Sequence, residues 1–469
     1  MSFELPINVT EFLQIFLQEE PSIVMADIPQ DIKMQKVCLN FDSREIKKGD
    51  VFWALVGKKF NPHEGGFIEE AFKKGAIMAV VNAVEVEIEK IPLAVATEDT
   101  TKALLKFARG YRKKFQNLKV VGITGSAGKT STKEMIAAVL GKNCNTLVTK
   151  GNLNNLFGVP MTLLGLREEH EAAVIEMGTS LPGEIRQLSQ AAVPDIAVIT
   201  NVAPAHLDGL INLEGVFKEK KSITEGFEKS GHLVINADDD MLSKIRNSSK
   251  YDVLTYGVNR GVVKPDEILW ENGCAKFRIS RTWFKLSVPG MHNVYNALAA
   301  IAVGELFRIP KSVIAEALLE VKAYDMRTQI FEENGITVIS DCYNANPHSM
   351  KVSLQTLASV PCKGRRIAVL GDMKELGAHS GQYHREVGKA LSELSIDYLV
   401  AIGNEAMEYC KGAEKAGFKP VRIKYFEDKQ SAIEAMKLLV RENDTVLVKA
   451  SRSMQLEEVC NSLLEVGVT

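Results

Sequence analysis

The residues in this chain that are best suited to chemistry form one short stretch, residues 125–131, which reads GSAGKTS. Its two glycines allow the backbone to approach a polyphosphate closely, and amide groups at such a turn and at a following helix start point at phosphate oxygens. Lys129 would reach the terminal phosphates, and the hydroxyl of Thr130 is placed to hold Mg²⁺. We therefore predict a phosphate-binding loop made of Gly125, Ser126, Ala127, Gly128, Lys129, Thr130 and Ser131.

The flanking residues supply the elements that such a loop needs. An apolar, strand-like run at residues 120–123 precedes it, and a helical pattern follows to about residue 140. The usual pattern for these loops, GxxxxGK[ST], requires a glycine where Ile123 stands, so this chain matches the shorter GxxGKT. A flexible strand-to-helix turn without a ligand is the alternative. The strand before the loop and the helix after it favour phosphate binding.

Composition narrows the class of protein. The chain has 469 residues, of which 46% are hydrophobic and 25% charged, as in ordinary soluble globular proteins. Such a length exceeds a single core and predicts two to four domains. The net charge of -2 gives no reason to expect a nucleic-acid partner or an anionic membrane surface.

Cysteines and the chain start indicate the compartment. The 7 cysteines are scattered and form no CxxC pair, which is typical of free thiols in a reducing cytosol. The first 20 residues carry acids where a signal peptide carries bases, and no apolar run approaches the length of a membrane span. We expect a cytoplasmic protein without membrane insertion.

The order of strand and helix patterns predicts three α/β domains. Residues 1–112 suggest a small α/β domain, and in residues 113–322 apolar strands alternate with helices, which predicts a mainly parallel, doubly wound sheet. Residues 323–469 repeat that alternation without a phosphate-binding loop, which predicts a second, Rossmann-like domain. Pro347 stands where a first helical residue would, behind Asn346 as the predicted cap.

Two polar residues follow predicted strands of the central sheet. Ligands in such sheets bind beyond the carboxyl ends of the strands, which selects Glu176 at the end of AAVIEM and His206 in the loop NVAPAHLDG. Both would face the phosphate-binding loop. Glu176 could instead be a salt-bridged strand end, and His206 a loop histidine satisfied by its neighbours.

Three lysines at positions 218, 220 and 221 follow the histidine loop in GVFKEKKSI. From the residues alone, a solvated helix face is the expected structure, with Glu214 and Lys218 as an i,i+4 pair. Further on, His292, Asn293 and Asn296 are grouped at the start of an apolar helix. That grouping suggests the edge of a ligand site, although capping explains Asn293 equally well.

Taken together, the motifs resemble the Mur ligases, which are ATP-dependent amide-forming enzymes of peptidoglycan synthesis. The resemblance spans nearly the whole chain. It is carried by DSR near the start, GSAGKTS, GNLNNLFGVPMTLL, IEMG, APAHLDG, HNVYNALAA, DCYNANPHSM, VLGDMKELG and VKASRSM. GNLNN, YNANP and GDMKELG indicate the branch of the family whose substrates are a UDP-N-acetylmuramoyl tripeptide and D-alanyl-D-alanine. This chain departs from the family pattern with NPH at residues 61–63, with Ala450 in VKASR, and with KKSI from residue 220.

The resemblance also implies roles for particular residues. ATP, two Mg²⁺ ions and a carbamylated lysine are the implied cofactors, and Lys129, Glu176, His206 and Lys220 the implied catalytic residues. The implied metal ligands are Thr130, Glu176, His206 and Lys220 as its carbamate. Further ATP contacts would come from Asn296, Arg327 and Asp341. The implied substrate contacts are Ser43, Arg44, Asn152, Asn154 and Asn155 for the UDP-sugar peptide, and Asn344 and Asn346 for the dipeptide.

The resemblance implies that each domain binds a different substrate. The first would bind the UDP substrate, the second ATP, and the third the incoming dipeptide while closing on ATP. We expect a monomer. Two alternatives stay open: a sibling amide ligase acting on another Mur or folate acceptor, and a nucleotide switch that uses the phosphate-binding loop for signalling.

Overall fold

The fold was taken from a computed structural model of the chain, which describes residues 2–19, 24–25, 28–57, 60–324 and 326–465. Three mixed or parallel sheets, each flanked by helices, follow one another along the chain. No helix in these ranges has both the length and the apolarity to cross a bilayer. The predicted α/β class is confirmed.

The first sheet has the strand order β1-β3-β4-β5-β6-β2 within the described residues. Strands β3 to β6 are parallel to one another, whereas the two edge strands run antiparallel to their neighbours. The elements of this part are β1 (Ser2–Asn8), α1 (Val9–Glu19), β2 (Val24–Met25), α2 (Gln30–Lys33), β3 (Lys36–Asn40), β4 (Asp50–Trp53), α3 (Phe67–Lys73), β5 (Met78–Asn82), β6 (Ala94–Thr97) and α4 (Thr100–Lys113).

An aromatic cluster forms the core of the first domain and continues into the second. The rings of Phe12, Phe16, Trp53 and Phe107 lie within 6.4 Å of one another, and all four side chains are buried. On the same helix as Phe107, the Tyr111 hydroxyl donates to the carbonyl oxygen of Leu166, in the second domain. Helix α4 therefore joins the cores of two domains, which share one continuous apolar cluster.

The second sheet is parallel throughout its described strands, in the order β12-β11-β10-β7-β9-β8. This confirms the predicted doubly wound sheet. Its elements are β7 (Lys119–Thr124), α5 (Lys129–Gly141), β8 (Thr146–Val148), α6 (Gly158–Leu163), β9 (Ala172–Glu176), α7 (Glu184–Ala192), β10 (Ile196–Ile199), α8 (Leu207–Leu210), α9 (Leu213–Lys221), β11 (Gly231–Asn236), β12 (Tyr251–Tyr256), α10 (Met291–Leu306) and α11 (Lys311–Glu320).

A small antiparallel sheet was not anticipated from the sequence. It contains β13 (Glu267–Glu271), β14 (Cys274–Ile279) and β15 (Thr282–Pro289), and it packs beside α10 and α11. Asn272 and Gly273, with φ of 51° and 77°, form the turn between its first two strands. An Asn-Gly pair between strand-like runs is a strong hairpin signal, so the sequence did contain the information.

The third sheet has the order β16-β17-β21-β18-β19-β20 in the part of the chain with assigned structure. All its neighbours are parallel except β16, which pairs antiparallel with β17. Asn346 caps α12, and Pro347 is its first residue, as predicted. The elements are β16 (Gln329–Glu333), β17 (Ile336–Ser340), α12 (Pro347–Ser359), β18 (Arg366–Gly371), α13 (Ser380–Ser392), β19 (Tyr398–Ile402), α14 (Met407–Lys415), β20 (Ile423–Phe426), α15 (Lys429–Leu439), β21 (Thr445–Lys449) and α16 (Glu457–Glu465).

Candidate active site

The predicted phosphate-binding loop lies between β7 and α5, near the middle of the second sheet. Gly125 and Gly128 have φ of 151° and 79°. A Cβ built on Gly125 would lie 1.9 Å from Thr200 Oγ1, so no larger residue fits there. Lys129, the first residue of α5, donates from Nζ to the carbonyl oxygen of Gly125 at 2.8 Å. The lysine thus folds over its own loop, where a phosphate would compete for it.

The segment after β10 holds this loop in place. The amide nitrogen of Ala127 donates to Asn201 Oδ1 at 2.9 Å, and Thr200 Oγ1 donates to the carbonyl oxygen of Ala127 at 2.6 Å. Ser126 Oγ donates to the carbonyl oxygen of Ala203 at 2.8 Å. The loop is therefore shaped before any ligand binds, which reduces the ordering cost of binding.

Glu176 faces the loop from the end of β9, as the strand-end argument predicts. Its Oε2 accepts a hydrogen bond from Thr130 Oγ1 at 2.9 Å, and its Oε1 accepts one from Asn154 Nδ2 at 2.8 Å. The side chain is buried. A hydroxyl and a carboxylate at one point are oxygen ligands of the kind that Mg²⁺ prefers, and Mg²⁺ usually takes its other ligands from phosphates and water. The residues present therefore fit a magnesium ion bound with a nucleotide.

Lys133 is a site residue that the sequence did not reveal. It is fully buried on α5, its Nζ donates to the carbonyl oxygen of Thr149 at 2.8 Å, and Glu176 Oε2 lies 4.0 Å away. Its ammonium also lies 5.4 Å from the ring centroid of Tyr324, in the segment between α11 and β16. A lysine in a helical pattern normally indicates an exposed position, so no sequence signal marked it.

His206 begins the turn before α8 in a left-handed conformation, with φ of 54°. Its Nδ1 contacts Glu375 Oε2, which belongs to the GDMKELG loop of the third domain. The amide nitrogen of Leu207 donates to the carbonyl oxygen of Glu375 at 2.9 Å. His206 is thus engaged by another domain rather than by its own loop.

The prediction of a solvated lysine face is wrong for Lys220, which is buried. Lys218 and Lys221 are exposed on α9, but Lys220 retains only 1% of its accessible surface. Its ammonium forms no hydrogen bond or ion pair with any described residue. Burial, together with the positive charge of Lys129, holds the pKa of Lys220 well below its ordinary value. Folding therefore shifts the protonation equilibrium of Lys220 towards the neutral amine.

A cleft of about 940 Å³ opens between the second and third domains over these residues. It brings together most of the predicted site residues, which come from both domains. They are Ser126, Ala127, Gly128, Lys129, Thr130, Ser131, Asn154, Asn155, Glu176, His206, Asn296, Arg327, Asp341, Asn344 and Asn346.

The third domain presents charged groups to this cleft. The guanidinium of Arg327 lies 4.0 Å from the ring centroid of Tyr343, and its buried Nε has no hydrogen-bond partner. Asp341 Oδ2 is 2.7 Å from Lys449 Nζ. Asn346 Nδ2 donates to the carbonyl oxygen of Ser126 at 3.1 Å, which links the cap of α12 directly to the phosphate-binding loop. Arg327 therefore retains a donor for an anionic ligand.

His292, at the start of α10, faces the same charged groups. Burial lowers its pKa from 6.5 to about 4, although Asp341 acts in the opposite direction. Its Nδ1 is buried and has no hydrogen-bond partner. The imidazole is therefore neutral at physiological pH, with a polar atom left for a ligand, as the polar helix start suggested.

Five predicted residues do not line the cleft, namely Gly125, Lys220, Ser43, Arg44 and Asn152, whereas Asn296 lines it and also has protein partners. Ser43 Oγ donates to Glu70 Oε2, and Arg44 forms a two-point pair with Asp42. Both belong to a short 3₁₀ turn on the first domain. Asn152 is exposed, and Asn296 accepts from a threonine of α5 while donating to Asn293. Lys58 and Lys59, which precede the NPH segment at residues 61–63, lie outside the described residues.

A phosphate-binding loop with an adjacent acid, which faces an arginine of the third domain across a cleft, is the arrangement of a nucleotide-dependent enzyme. The family model for the Mur ligase middle domain matches residues 123–304, and that for the Mur ligase glutamate ligase domain matches residues 326–452. The chain belongs to the Mur ligase family.

Individual proteins and solved structures of this family are similar to the chain over most of its length. A Bacillus subtilis protein named UDP-N-acetylmuramoyl-tripeptide--D-alanyl-D-alanine ligase is 35% identical over 428 residues, which cover 90% of this chain and 92% of the relative. The crystal structure of MurF from Acinetobacter baumannii superposes with a TM-score of 0.87 at 31% identity, and covers 97% of this chain and 98% of its own. MurF ligase from Thermotoga maritima, solved in complex with ADP, gives 0.80 at 29% identity, with 91% and 97% covered.

Proposed function

We propose that this protein joins D-alanyl-D-alanine to a UDP-N-acetylmuramoyl tripeptide in the cytoplasm, with ATP converted to ADP and phosphate. The observation that carries the proposal is that one cleft gathers Lys129 and Glu176 from the second domain with Arg327 and Asp341 from the third. Relatives that bear this activity in their names align over nine-tenths of the chain, which supports the same substrates.

The chemistry follows from the charges in the cleft. A carboxylate oxygen of the tripeptide attacks the γ-phosphorus of ATP, ADP leaves, and an acyl phosphate forms. The dipeptide amine then attacks the acyl carbon, loses a proton, and phosphate departs with the carboxylate oxygen. Because two anions must approach each other in the first step, Lys129 and Arg327 serve by binding the phosphate oxygens and reducing their repulsion.

Thr130 and Glu176 would hold one Mg²⁺ ion, and His206 with Lys220 a second. These ions would neutralise charge on the phosphates and on the substrate carboxylate. An ammonium cannot ligate a cation, so Lys220 would first react with CO₂: its neutral nitrogen attacks the carbon and loses a proton to give a carbamate. Its lowered pKa and its lack of a described partner make the neutral amine accessible to that reaction.

The other predicted contacts are part of the proposal. Asn296 contacts adenine, and Asn344 and Asn346 lie near the dipeptide. Ser43 and Arg44 bind the UDP-sugar peptide, together with the asparagines at positions 152, 154 and 155. We propose domain limits of 1–112, 113–322 and 323–469 for UDP-substrate binding, ATP binding and dipeptide binding, in a monomer whose third domain closes on ATP.

The test is phosphate release by the purified protein with ATP, Mg²⁺, UDP-N-acetylmuramoyl tripeptide and D-alanyl-D-alanine. We expect release to require both the tripeptide and the dipeptide, with a pentapeptide product in the mass spectrum. Tripeptides that end in diaminopimelate and in lysine are assayed in parallel. If single amino acids support the same turnover as the dipeptide, a sibling ligase is favoured. If phosphate is released without tripeptide or dipeptide, a nucleotide switch is favoured.

A substitution of Lys129 by Ala connects this activity with the cleft. The lysine is partly exposed in a preformed loop, so its removal should leave the fold intact while turnover is lost. Lys150→Ala is the matched control, because Lys150 is an exposed lysine that does not line the cleft. Retained turnover in the Lys129 variant would remove the phosphate-binding loop from the mechanism.

A further inference from the structure

The GDMKELG motif, residues 371–377, has no part in the reaction described above and does not line the cleft, yet it contacts His206, which does. It follows β18, and Glu375 within it adopts φ of 64°. Its carboxylate reaches His206, which also has a positive φ, of 54°. Left-handed backbone costs about 1–3 kcal/mol for such residues and persists where the surroundings impose it. Two strained residues from different domains therefore meet side chain to side chain.

Backbone contacts reinforce this meeting. The amide nitrogen of Leu207 donates to the carbonyl oxygen of Glu375 at 2.9 Å. A Cβ built on Gly377, whose φ is 58°, would lie 3.1 Å from Asp208 Oδ1. The GDMKELG loop thus contacts three consecutive residues, 206–208, and not His206 alone. The position of Glu375 is set by the backbone and not by one flexible side chain.

The chemistry of the pair defines the tautomer of His206. An ionised carboxylate only accepts hydrogen bonds, so the ring proton must lie on Nδ1 where Glu375 contacts it. In the neutral imidazole, Nε2 then keeps its lone pair for the cleft that His206 lines. Histidines that bind metals usually donate their other ring N–H to a carboxylate or carbonyl, which fixes both tautomer and ring orientation.

We infer that Glu375 is a positioning residue that holds His206 with Nε2 available to a divalent cation, so that this cation site is complete only when the third domain is closed. The inference rests on the proposed function, since it assigns a partner to the histidine of that site. It also explains how closure would prevent wasteful phosphate release: with the domains apart, His206 is unoriented and the chemistry is not assembled.

The first test measures the tautomer itself and needs no turnover. In protein labelled with ¹⁵N-histidine, correlation spectra distinguish the protonated ring nitrogen of each of the 8 histidines, and His206→Gln identifies the His206 signal. We expect the Nδ1–H tautomer in the native protein and loss of that signature in Glu375→Ala. An Nε2–H tautomer in the native protein, or an unchanged signal in the variant, would overturn the inference.

The second test is a double-mutant cycle on the Mg²⁺ dependence of phosphate release. We expect Glu375→Ala to raise the Mg²⁺ concentration for half-maximal rate by about 10- to 100-fold, as loss of such partners usually does, with Glu375→Gln less affected because it can still accept a hydrogen bond. In a His206→Ala background the same change should add almost nothing. If the two substitutions together raise this Mg²⁺ concentration by the product of their separate effects, Glu375 does not act through His206.

Controls separate this inference from the proposed function. Glu393→Gln alters another exposed glutamate of the third domain, at the end of α13, and should match the native protein. Binding of ADP to the Glu375 variants, measured by calorimetry, should be unchanged because the phosphate-binding loop is intact. Absence of product from the native protein would refute the proposed function, whereas a native enzyme with independent His206 and Glu375 effects would refute only the positioning role.

Discussion

Replacement of Lys220 by Met should move stability and activity in opposite directions. Lys220 retains 1% of its accessible surface, and Glu219 and Glu184, which favour its charged form, lie beyond ion-pair distance. An uncompensated buried charge is costly, and replacement of buried charged groups by apolar ones of similar size often stabilises by about 1–4 kcal/mol. We therefore expect Lys220→Met to raise the free energy of unfolding at pH 7 by an amount in that range, while ligase turnover is lost.

The pH dependence provides a sharper version of this prediction. Because the pKa of Lys220 is lowered in the folded state from 10.5, the unfolded chain binds more protons between the two pKa values. The stability of the native protein therefore rises with pH across that interval, by about 1.4 kcal/mol for each unit of pKa difference. The advantage of Lys220→Met should be full below the folded-state pKa and vanish as pH approaches 10.5.

Urea unfolding in CO₂-free buffer at several pH values measures both effects. Lys218→Met is the matched control, since Lys218 lies on the same helix with its side chain 74% exposed. Its substitution should change stability by no more than about 0.5 kcal/mol at any pH. If Lys220 forms the proposed carbamate, added bicarbonate should stabilise the native protein but not the Lys220→Met variant. A Lys220→Met protein less stable than the native one, or one with the same pH dependence, would refute the reasoning.

Three further predictions concern the phosphate-binding loop and the buried groups around it. Gly125→Ala should weaken ADP binding at least about tenfold in calorimetry, because its Cβ would meet a hydroxyl oxygen at 1.9 Å, whereas Gly141→Ala, with nothing within 4 Å, should bind normally. Lys133→Met should change the effect of Mg²⁺ on nucleotide binding, and Lys133→Arg should restore part of the native behaviour, because the buried ammonium lies 4.0 Å from Glu176, the proposed Mg²⁺ ligand. Because the pKa of His292 falls from 6.5 to about 4, native stability should drop as pH falls through that window, and His292→Gln should lessen the drop by up to about 3 kcal/mol in acid unfolding.

Local patterns predicted the centre of the site well. The run from β7 through the loop to α5 combines an apolar strand, two glycines and a helix start, and each is encoded by neighbouring residues. Glu176 was found because parallel strands end at one edge of the sheet, a rule that needs only strand positions. The cap at Asn346 was equally local.

Long-range features could not be predicted in the same way. The contact of His206 with Glu375 depends on how two domains meet, 169 positions apart in the chain, and no periodic pattern encodes it. The burial of Lys133 and Lys220 contradicts the ordinary preference of lysine for solvent, so only the resemblance marked Lys220 and nothing marked Lys133. The antiparallel β13–β15 sheet was missed although its Asn-Gly turn was visible.

The transfer of oxygen from substrate to phosphate tests the central claim most directly. If the tripeptide carboxylate is activated as an acyl phosphate, a tripeptide labelled with ¹⁸O at both carboxylate oxygens must deliver one label to each phosphate released and keep the other in the new amide. Mass spectrometry of the phosphate and of the pentapeptide product reads both positions. Unlabelled phosphate that carries an oxygen from solvent would contradict the account and indicate simple nucleotide hydrolysis.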